Sequence, residues 1–261
     1  GSHIINSGCQ NVSINAADMP YVGGLAGSIE NAEISNPNFE HRIKYINALS
    51  SGGVAAIIRN SKFNGFTNTV KWIELTNNNH ASYFYDSGFA LSATDVDLTN
   101  IKNHIVKITN NFALPNYLAG FVYEFSGKIN NIENIIDEFE DPYYDCQFTG
   151  FIHKTIAETH ITNAINRINQ IKETFEVDYI QYLRPVGFIA QNYSTDSDYK
   201  TSITNLFNEV HYEVLANNPS AVFGNMNNEN LVLQNIVSAA SIYKHNNELY
   251  EFEPWYRNQL F

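Results

Sequence analysis

The chain has 261 residues, 44% of them hydrophobic, which is enough for the core of one large domain or of a domain with an appendage. Asp and Glu total 27 against 15 Lys and Arg, so the formal net charge of −12 excludes nucleic acid and anionic membranes as expected partners. No apolar run approaches the ~18 to 20 residues that cross a bilayer, so we expect no membrane span.

Residues 1–53 read as a polar lead-in segment that contains one helix. The helix is predicted for residues 37–49, where Phe39, Ile43, Ile46 and Leu49 recur at helical spacing. A strand is predicted next, from Val54 to Arg59, because the run is continuously apolar. It ends in a guanidinium group, which needs a partner when it stands at the tip of a buried strand.

The stretch from Asp86 to Asp95 predicts a buried strand that ends in small hydroxylic residues. Phe89, Ala90 and Leu91 form the apolar run, and Ser92 and Thr94 follow it. An amphipathic helix is expected next, since apolar residues then recur at steps of 3 and 4, at Leu98, Ile101, Ile105, Ile108 and Phe112. The segment 118–125 predicts a second strand, rich in aromatic and β-branched residues.

The rest of the chain is predicted to continue the alternation of strands and helices. Ile129, Ile132, Ile136 and Phe139 indicate another helix, and residues 176–182 indicate a further strand. Residues 142–149 form an aromatic loop that flanks a ligand or seals the core. Residues 191–261 carry two helical patterns and are expected to form a helical appendage.

We see no internal repeat, which argues against a solenoid. Cys9 and Cys146 form one disulfide or remain two thiols.

The segments from Arg59 to residue 182 resemble the mono-ADP-ribosyltransferases of the pertussis-toxin and cholera-toxin type. The resemblance rests on Ser92-Ala93-Thr94, which stands where that family has a Ser-Thr-Ser corner, and on residues 120–124, Gly-Phe-Val-Tyr-Glu, which match the strand that follows. It implies an α+β fold with split β-sheets around an NAD cleft and flanking helices. Residues 54–190 would form this catalytic core.

The resemblance also implies roles for individual residues. Arg59 would hold the NAD phosphates, with Arg42 as the fallback. Ser92 and Thr94 would contribute to the NAD site, and His80 would contact the nicotinamide ribose. Glu158 would be the catalytic carboxylate that Ser92 holds in place, and Glu140 is its rival for this role, in the pair Glu138-x-Glu140.

The function that follows is transfer of ADP-ribose from NAD to a target protein of a host cell by a secreted or translocated bacterial toxin or effector. No metal is required. Two other functions stay open. One is a non-catalytic β-rich binding module for protein or glycan. The other is a metal-assisted hydrolase that uses His153 and His160, whose spacing is poor for a metal pair.

Overall fold

The computed structural model describes residues 2–16, 19–76, 85–111, 116–141, 146–173, 186–192, 199–213, 222–225, 231–244 and 248–250. In these ranges every regular element is a β-strand. The strands of the first half are β1 (Ser2–Ile5), β2 (Val12–Ala16), β3 (Val22–Gly23), β4 (Ala26–Glu30), β5 (Ala32–Ser35), β6 (Glu40–Ala48), β7 (Ser50–Gly52), β8 (Ala55–Arg59), β9 (Lys62–Thr76), β10 (Tyr85–Ser87) and β11 (Ala90–Asn111). The second half contains β12 (Asn116–Ala119), β13 (Val122–Asp141), β14 (Cys146–Thr149), β15 (Ile152–Glu173), β16 (Ile189–Asn192), β17 (Thr201–Glu213), β18 (Phe223–Asn225), β19 (Leu231–Lys244) and β20 (Glu248–Tyr250).

The strands coil into a parallel β-solenoid of about 6 turns. Each turn, called a rung here, stacks on the previous one. The long strands β9, β11, β13, β15, β17 and β19 pair in that order in a 15-stranded sheet, and β3, β7, β10, β12 and β14 form a second sheet of 5 strands. The pairs between successive rungs are parallel, and the only antiparallel pair among the described strands joins β19 to β20. The expected α+β ADP-ribosyltransferase fold is therefore wrong.

The segments predicted as helices are strands. In these strands a buried polar residue and a corner interrupt the alternation of apolar and polar residues by which a strand is recognised from sequence. In β11 the residues Leu98, Ile101, Asn103, Ile105 and Ile108 are all buried. The step of 3 from Leu98 spans a corner at Asn100, where φ is +55°. The step of 4 after Ile101 contains the buried Asn103, which an apolar pattern does not count. The helices predicted in 37–49, 98–112 and 129–139 lie in β6, β11 and β13, and those of the expected helical appendage lie in β17 and β19.

The chain is a repeat whose period varies, and the expectation that it is not a solenoid is wrong. Successive rungs place a buried asparagine in the same position, but 35, 31, 32 and 42 residues separate these asparagines along the chain. The loops between rungs differ in length while the stacked core stays in register. A fixed-period search therefore misses the repeat.

The sheet is continuous across the expected domain boundaries. β9 pairs with β6, which joins residues on either side of position 53, and β17 pairs with β15, which joins residues on either side of position 190. Predicted strands at 54–59 and 89–92 correspond to β8 and the start of β11, and 118–125 is divided between β12 and β13. The strand predicted for 176–182 lies outside the described residues.

A glycine stands at the start of each rung, where the chain passes from the small sheet to the large one. A Cβ atom on Gly120 would lie 2.1 Å from the carbonyl oxygen of Gly150 and 2.2 Å from Cδ1 of Ile136. Gly88 and Gly150 are crowded in the same way by the next rung's backbone and by an isoleucine. Only glycine allows the rungs to approach this closely. We call this feature the glycine corner.

A column of buried asparagines runs through the core, and we call it the inner ladder. In the first four members, Nδ2 donates to the side-chain Oδ1 of the next member at 2.7–2.8 Å and to the carbonyl oxygen of the next glycine corner at 2.7–2.9 Å. In the last member, Asn208, Nδ2 donates to the hydroxyl of Ser238 at 3.1 Å. Its members are Asn68, Asn103, Asn134, Asn166 and Asn208. Because both amide hydrogens are used, the ladder ties the inner wall of each rung to the opposite corner.

The inner ladder separates two apolar clusters. One cluster contains a column of phenylalanines behind the glycine corners, in which Phe121 stacks on Phe151 at 5.0 Å and Phe151 on Phe188 at 4.6 Å between ring centroids. The other contains mainly isoleucines, with Phe139 stacked on Phe148 at 4.1 Å. Burial of these side chains is the main source of stability, and the ladder fixes their register.

Candidate functional site

The outer side of the glycine corner is concave, and aromatic side chains line it. Tyr85 and Tyr117 precede a corner in the chain, whereas Tyr123 and His153 follow one. Rings from the two arms nevertheless touch, since Tyr85 lies 5.1 Å from Tyr123 and Tyr117 lies 5.5 Å from His153 between centroids. Side chains on two arms of a bend meet only on its inner side. We call these four residues the aromatic patch.

The rings of the aromatic patch pack in an ordered way. Tyr85 stacks on Tyr117 with centroids 5.3 Å apart, and Tyr123 stacks on His153 with centroids 4.8 Å apart. The two stacks meet edge to face. The patch extends over three rungs, which corresponds to about 10 Å along the solenoid axis. The three tyrosines are half-buried, so the patch is part of the surface.

The floor beneath the rings consists of small residues. Ser87, Ala119 and Thr149 occupy equivalent positions of β10, β12 and β14 and are buried. Thr149 Oγ1 is 3.1 Å from Nδ1 of His153, so the hydroxyl fixes the orientation of the imidazole. Burial, with a smaller contribution from the charge of Lys154, lowers the pKa of His153 to about 4. The imidazole is thus neutral at physiological pH, and the patch carries no charge.

A buried carboxyl lies directly behind the patch. Asp86 follows Tyr85 in β10 and points to the opposite side, where it is 1% exposed. The hydroxyl of Ser51 donates to its Oδ1, and its Oδ2 has no hydrogen-bond partner among the described groups. Burial raises the pKa of Asp86 to about 7, although the hydrogen bonds from the side chain and backbone of Ser51 oppose the rise.

Chemically, the patch is suited to binding. Tyrosine offers an apolar ring and a hydroxyl that both donates and accepts, and a concave aromatic surface with a few polar groups is typical of ligand sites. Glu124 and Lys154, which follow Tyr123 and His153 in the chain, form an ion pair with 3.4 Å between the charged atoms. We find no activated nucleophile among the four patch residues.

Three of the residues assigned to NAD binding lie on one face of the large sheet, beside the patch. Arg59 ends β8 and is the register partner of Thr94 in β11, where Ser92 also lies. Arg59 donates to Glu30 at 3.2 Å, and both side chains are about half exposed. This is the surface ion pair that a strand-end arginine commonly makes. Ser92 has Ile57 and Glu124 as its neighbours on the flanking strands.

Glu158 lies away from these residues. It is exposed in β15 and bonds His160, whose Nε2 is 2.9 Å from its Oε1. In the register of the sheet, Ser92 of β11 is aligned with Glu124 of β13, and Glu124 is aligned with Lys154 of β15. Strand spacing and rise therefore put the Cα atoms of Glu158 and Ser92 roughly 15 Å apart, which exceeds the reach of their side chains. His80 lies outside the described residues.

The structure also shows where the alternative candidate site residues lie. Arg42 is exposed and bonds Glu40 on its own strand, and Glu140 accepts from Lys107 at 2.7 Å. His153 belongs to the aromatic patch, whereas His160 lies on the outer surface beside Ser202 at 2.7 Å. Across the described ranges, no three His, Cys, Asp or Glu side chains are grouped so that they could hold a metal ion. Cys9 is a half-buried free thiol.

Three of the four patch residues have no role predicted from the sequence. Tyr123 belongs to the match at residues 120–124, which implies no role for it, and no motif of the sequence includes Tyr85 or Tyr117. A signal was present, because each of these tyrosines lies three residues from a glycine at the start of a rung, at Gly88 or Gly120. Without recognising the rungs, positions before and after different glycines cannot be combined into one surface.

A comparison with known proteins finds no protein-family model, no curated protein sequence and no solved structure that matches this chain. Within the ranges described above, none of the elements is a helix of the length and apolarity that crossing a membrane requires.

Proposed function

We propose that the chain is a non-catalytic binding module that holds an extended, uncharged glycan against the aromatic patch. The observation that carries the proposal is the patch itself: three half-buried tyrosines, packed on a buried neutral histidine, in one concave corner of the solenoid. Stacked repeats build elongated concave surfaces of this kind, and such surfaces suit elongated ligands.

The chemistry of the patch favours a neutral sugar chain over other ligands. Tyrosine rings pack against the apolar faces of pyranose rings while their hydroxyls bond the sugar hydroxyls. Anionic polymers are disfavoured by the net charge of −12, and the patch has no cation to offset that charge. A neutral polyol loses no ionic solvation on binding.

The ADP-ribosyltransferase activity stays a prediction, with weaker support than glycan binding. This activity requires a cleft in which Glu158 lies beside Ser92. The α+β fold that would provide the cleft is not the fold of the chain. Arg59 and Thr94 remain close enough to act on one ligand, since they are register partners. NAD is therefore included in the test as the competing ligand.

The test is calorimetric titration with cellohexaose, maltohexaose, chitohexaose and, separately, NAD. We expect at least one hexasaccharide to bind, and Tyr117→Ala to weaken it ~10-fold or more, because one aromatic contact at an interface contributes ~1 kcal/mol or more. Trp72→Ala is the matched control, since Trp72 is a partly exposed aromatic residue on another face. Tyr117→Phe separates the ring from the hydroxyl.

Equal binding by the Tyr117→Ala variant and the parent chain would remove the patch as the site. Binding of NAD that Arg59→Ala abolishes, without binding of any hexasaccharide, would replace this proposal with the nucleotide-dependent one. Circular dichroism of each variant confirms that the sheet is intact before the affinities are compared.

A further inference from the structure

A row of three side chains runs along the solenoid axis, on the arm of the concave corner that precedes the glycines. Tyr85 of β10 is the register partner of Tyr117 of β12, and Tyr117 is the register partner of Gln147 of β14. Register partners in neighbouring strands point to the same side of the sheet, so Gln147 lies beside Tyr117 on the outer surface. All three side chains are half-buried, whereas Ser50, the partner of Tyr85 in the preceding rung, is buried. We call these three residues the axial row, which begins at Tyr85.

The axial row has the period of the rungs. Equivalent positions of stacked repeats follow the axis, and neighbouring strands are ~4.8 Å apart. The ring centroids of Tyr85 and Tyr117 are 5.3 Å apart, which is about the length of one pyranose residue in an extended glycan chain. An extended chain that lies along the axis therefore places one sugar over each rung. A chain that follows a strand around the corner meets the axial row only once.

The opposite arm of the corner is accessible only in the middle of the row. Tyr123, in the same rung as Tyr117, is half-buried and contacts the Tyr117 ring with 6.2 Å between centroids. The equivalent residues of the rungs before and after it, Leu91 and His153, are 7% and 1% exposed. The central sugar would thus contact a ring on each arm, and the two outer sugars would depend on Tyr85 and Gln147.

Resting on the proposed function, we infer that the glycan lies along the solenoid axis as a straight, equatorially β-linked chain, as in cellulose or chitin, with one sugar over each member of the axial row. Equatorial linkages at opposite ends of the ring extend the chain in a straight line, so successive sugars keep the rung period. The α-linkages of amylose turn the chain into a helix, so successive sugars do not face successive rungs.

Gln147 is the specificity-determining residue of this arrangement. Its side-chain amide both donates and accepts hydrogen bonds, which suits the hydroxyl groups of a sugar. It also carries no aromatic ring, so the sugar over it is held by polar contacts and the sugar over Tyr85 by a ring. The two residues are separated by two rung spacings, so one ligand reaches both only if it runs along the axis.

The experiment is calorimetric titration of the full chain with cellohexaose, chitohexaose and maltohexaose. We expect a β-linked hexasaccharide to bind ~10-fold or more tightly than maltohexaose. Tyr85→Ala should weaken its binding ~10-fold by removing a ring contact. Gln147→Leu keeps the volume of the side chain but removes its hydrogen bonds, and should weaken binding ~5-fold or more. Gln234→Leu is the matched control, since Gln234 is an exposed glutamine of β19 away from the aromatic patch, and should leave binding unchanged.

The outcomes separate this inference from the proposed function. Maltohexaose binding that equals that of the β-linked chains and is lost in Tyr117→Ala would overturn the inference and leave the patch as a glycan site. Binding that Tyr117→Ala weakens but that neither Tyr85→Ala nor Gln147→Leu changes would show a chain that crosses the row at one rung, which also overturns it. If no hexasaccharide binds, the proposed function fails and the inference with it. Circular dichroism checks the fold of each variant, and Gln147→Ala replaces Gln147→Leu if the leucine variant does not fold.

Discussion

Asn103 makes three hydrogen bonds inside the core. Its Nδ2 donates to Asn134 Oδ1 at 2.7 Å and to the carbonyl of Gly120 at 2.9 Å, and its Oδ1 accepts from Asn68. A hydrophobic residue of similar size would leave three buried polar atoms with fewer partners. Each such atom costs about 1–3 kcal/mol, so the amide is required at this position although the site is fully buried.

Replacing Asn103 by aspartate tests the inner ladder with almost no change in shape. The carboxylate presents acceptors to the Gly120 carbonyl and to Asn134 Oδ1, which are themselves acceptors, so we expect the free energy of unfolding to fall by ~3 kcal/mol or more. Asn131→Asp, on the exposed row of corner asparagines, is the control and should change it by less than ~1 kcal/mol. Urea titration measures both. Equal effects would contradict the role assigned to the ladder.

His41 takes the place of an asparagine at the first position of the ladder. Nδ1 of its buried imidazole accepts from the backbone N–H of Cys9 at 3.0 Å, so Nε2 carries the hydrogen and donates to the carbonyl of Gly53 at 3.1 Å. Protonation of Nδ1 would place its N–H against the backbone N–H of Cys9. Burial also lowers the pKa of His41. The neutral form is therefore built into the N-terminal rung.

This arrangement predicts a loss of stability in acid. The unfolded chain binds a proton at His41 near its ordinary pKa of 6.5 while the folded chain does not, so stability is complete above that pH and declines as the pH falls below it. His41→Asn supplies an amide that other rungs carry at this position and should flatten the pH dependence. The difference in urea midpoint between parent and variant, measured from pH 7.5 to 5, is the test. A difference that does not change with pH would contradict it.

Asp86 predicts the opposite dependence. Its pKa rises from 3.8 to about 7 on folding, so the folded chain takes up a proton between these values and stability decreases as the pH rises through them. Above pH 7 the buried carboxylate costs as much as about 4 kcal/mol. Asp86→Asn keeps an acceptor for Ser51 and should raise the melting temperature at pH 8, with little effect at pH 4. A uniform change at both values would contradict the assignment.

At the scale of the element, the sequence locates the apolar segments correctly but does not always distinguish a strand from a helix. The contiguous apolar residues at 54–59 predict a strand, and residues 55–59 form β8. The stripe from Leu98 to Ile108 predicts a helix, because its apolar residues recur at steps of 3 and 4. Bent strands with one buried polar residue produce the same steps. Asn100, with its left-handed φ, and the buried Asn103 together produce those steps. Only contacts between rungs distinguish the two structures.

The glycine corner gives a sharp test of rung stacking. In Gly120→Ala, the new methyl carbon would lie only 2.1 Å from the Gly150 carbonyl oxygen and 2.2 Å from Cδ1 of Ile136, and the carbonyl belongs to the backbone of the next rung, which it cannot leave without displacing that rung. We expect a loss of ~3 kcal/mol or more, at the upper end of overpacking effects. Gly27→Ala is the control, because its nearest atom is the Tyr21 carbonyl at 3.3 Å. Thermal unfolding followed by circular dichroism compares them, and similar melting temperatures would contradict the tight corner.

At the scale of the whole molecule, neither the solenoid nor the aromatic patch could be derived from the sequence. The patch combines residues before one glycine with residues after the next, so it exists only once rungs of unequal length are stacked. Arg59, Ser92 and Thr94 are predicted at strand ends, and they lie in neighbouring strands. Glu158 matches the family's catalytic carboxylate only by its order along the chain, and residues that follow one another in this order are not brought together when the chain coils into rungs.

A stacked chain should also show a gradient of local stability. Each rung contacts only its neighbours, so a central rung is held on two sides and a terminal rung on one. We expect amide exchange to be slowest in β11, β13 and β15 and faster in β1, β2 and β18. Exchange at one uniform rate throughout the sheet would indicate all-or-none opening and contradict this expectation.

The inner ladder and the backbone pairs share one direction, along the solenoid axis, because strands lie across that axis and bond to the strands above and below. A pulling force along the axis therefore loads these bonds in tension, whereas a force across it is carried by covalent chain. Under axial tension the molecule yields at a terminal rung and peels one coil at a time, each step releasing the length of chain in that coil. Its mechanical strength is thus set by a single rung and does not increase with the number of rungs.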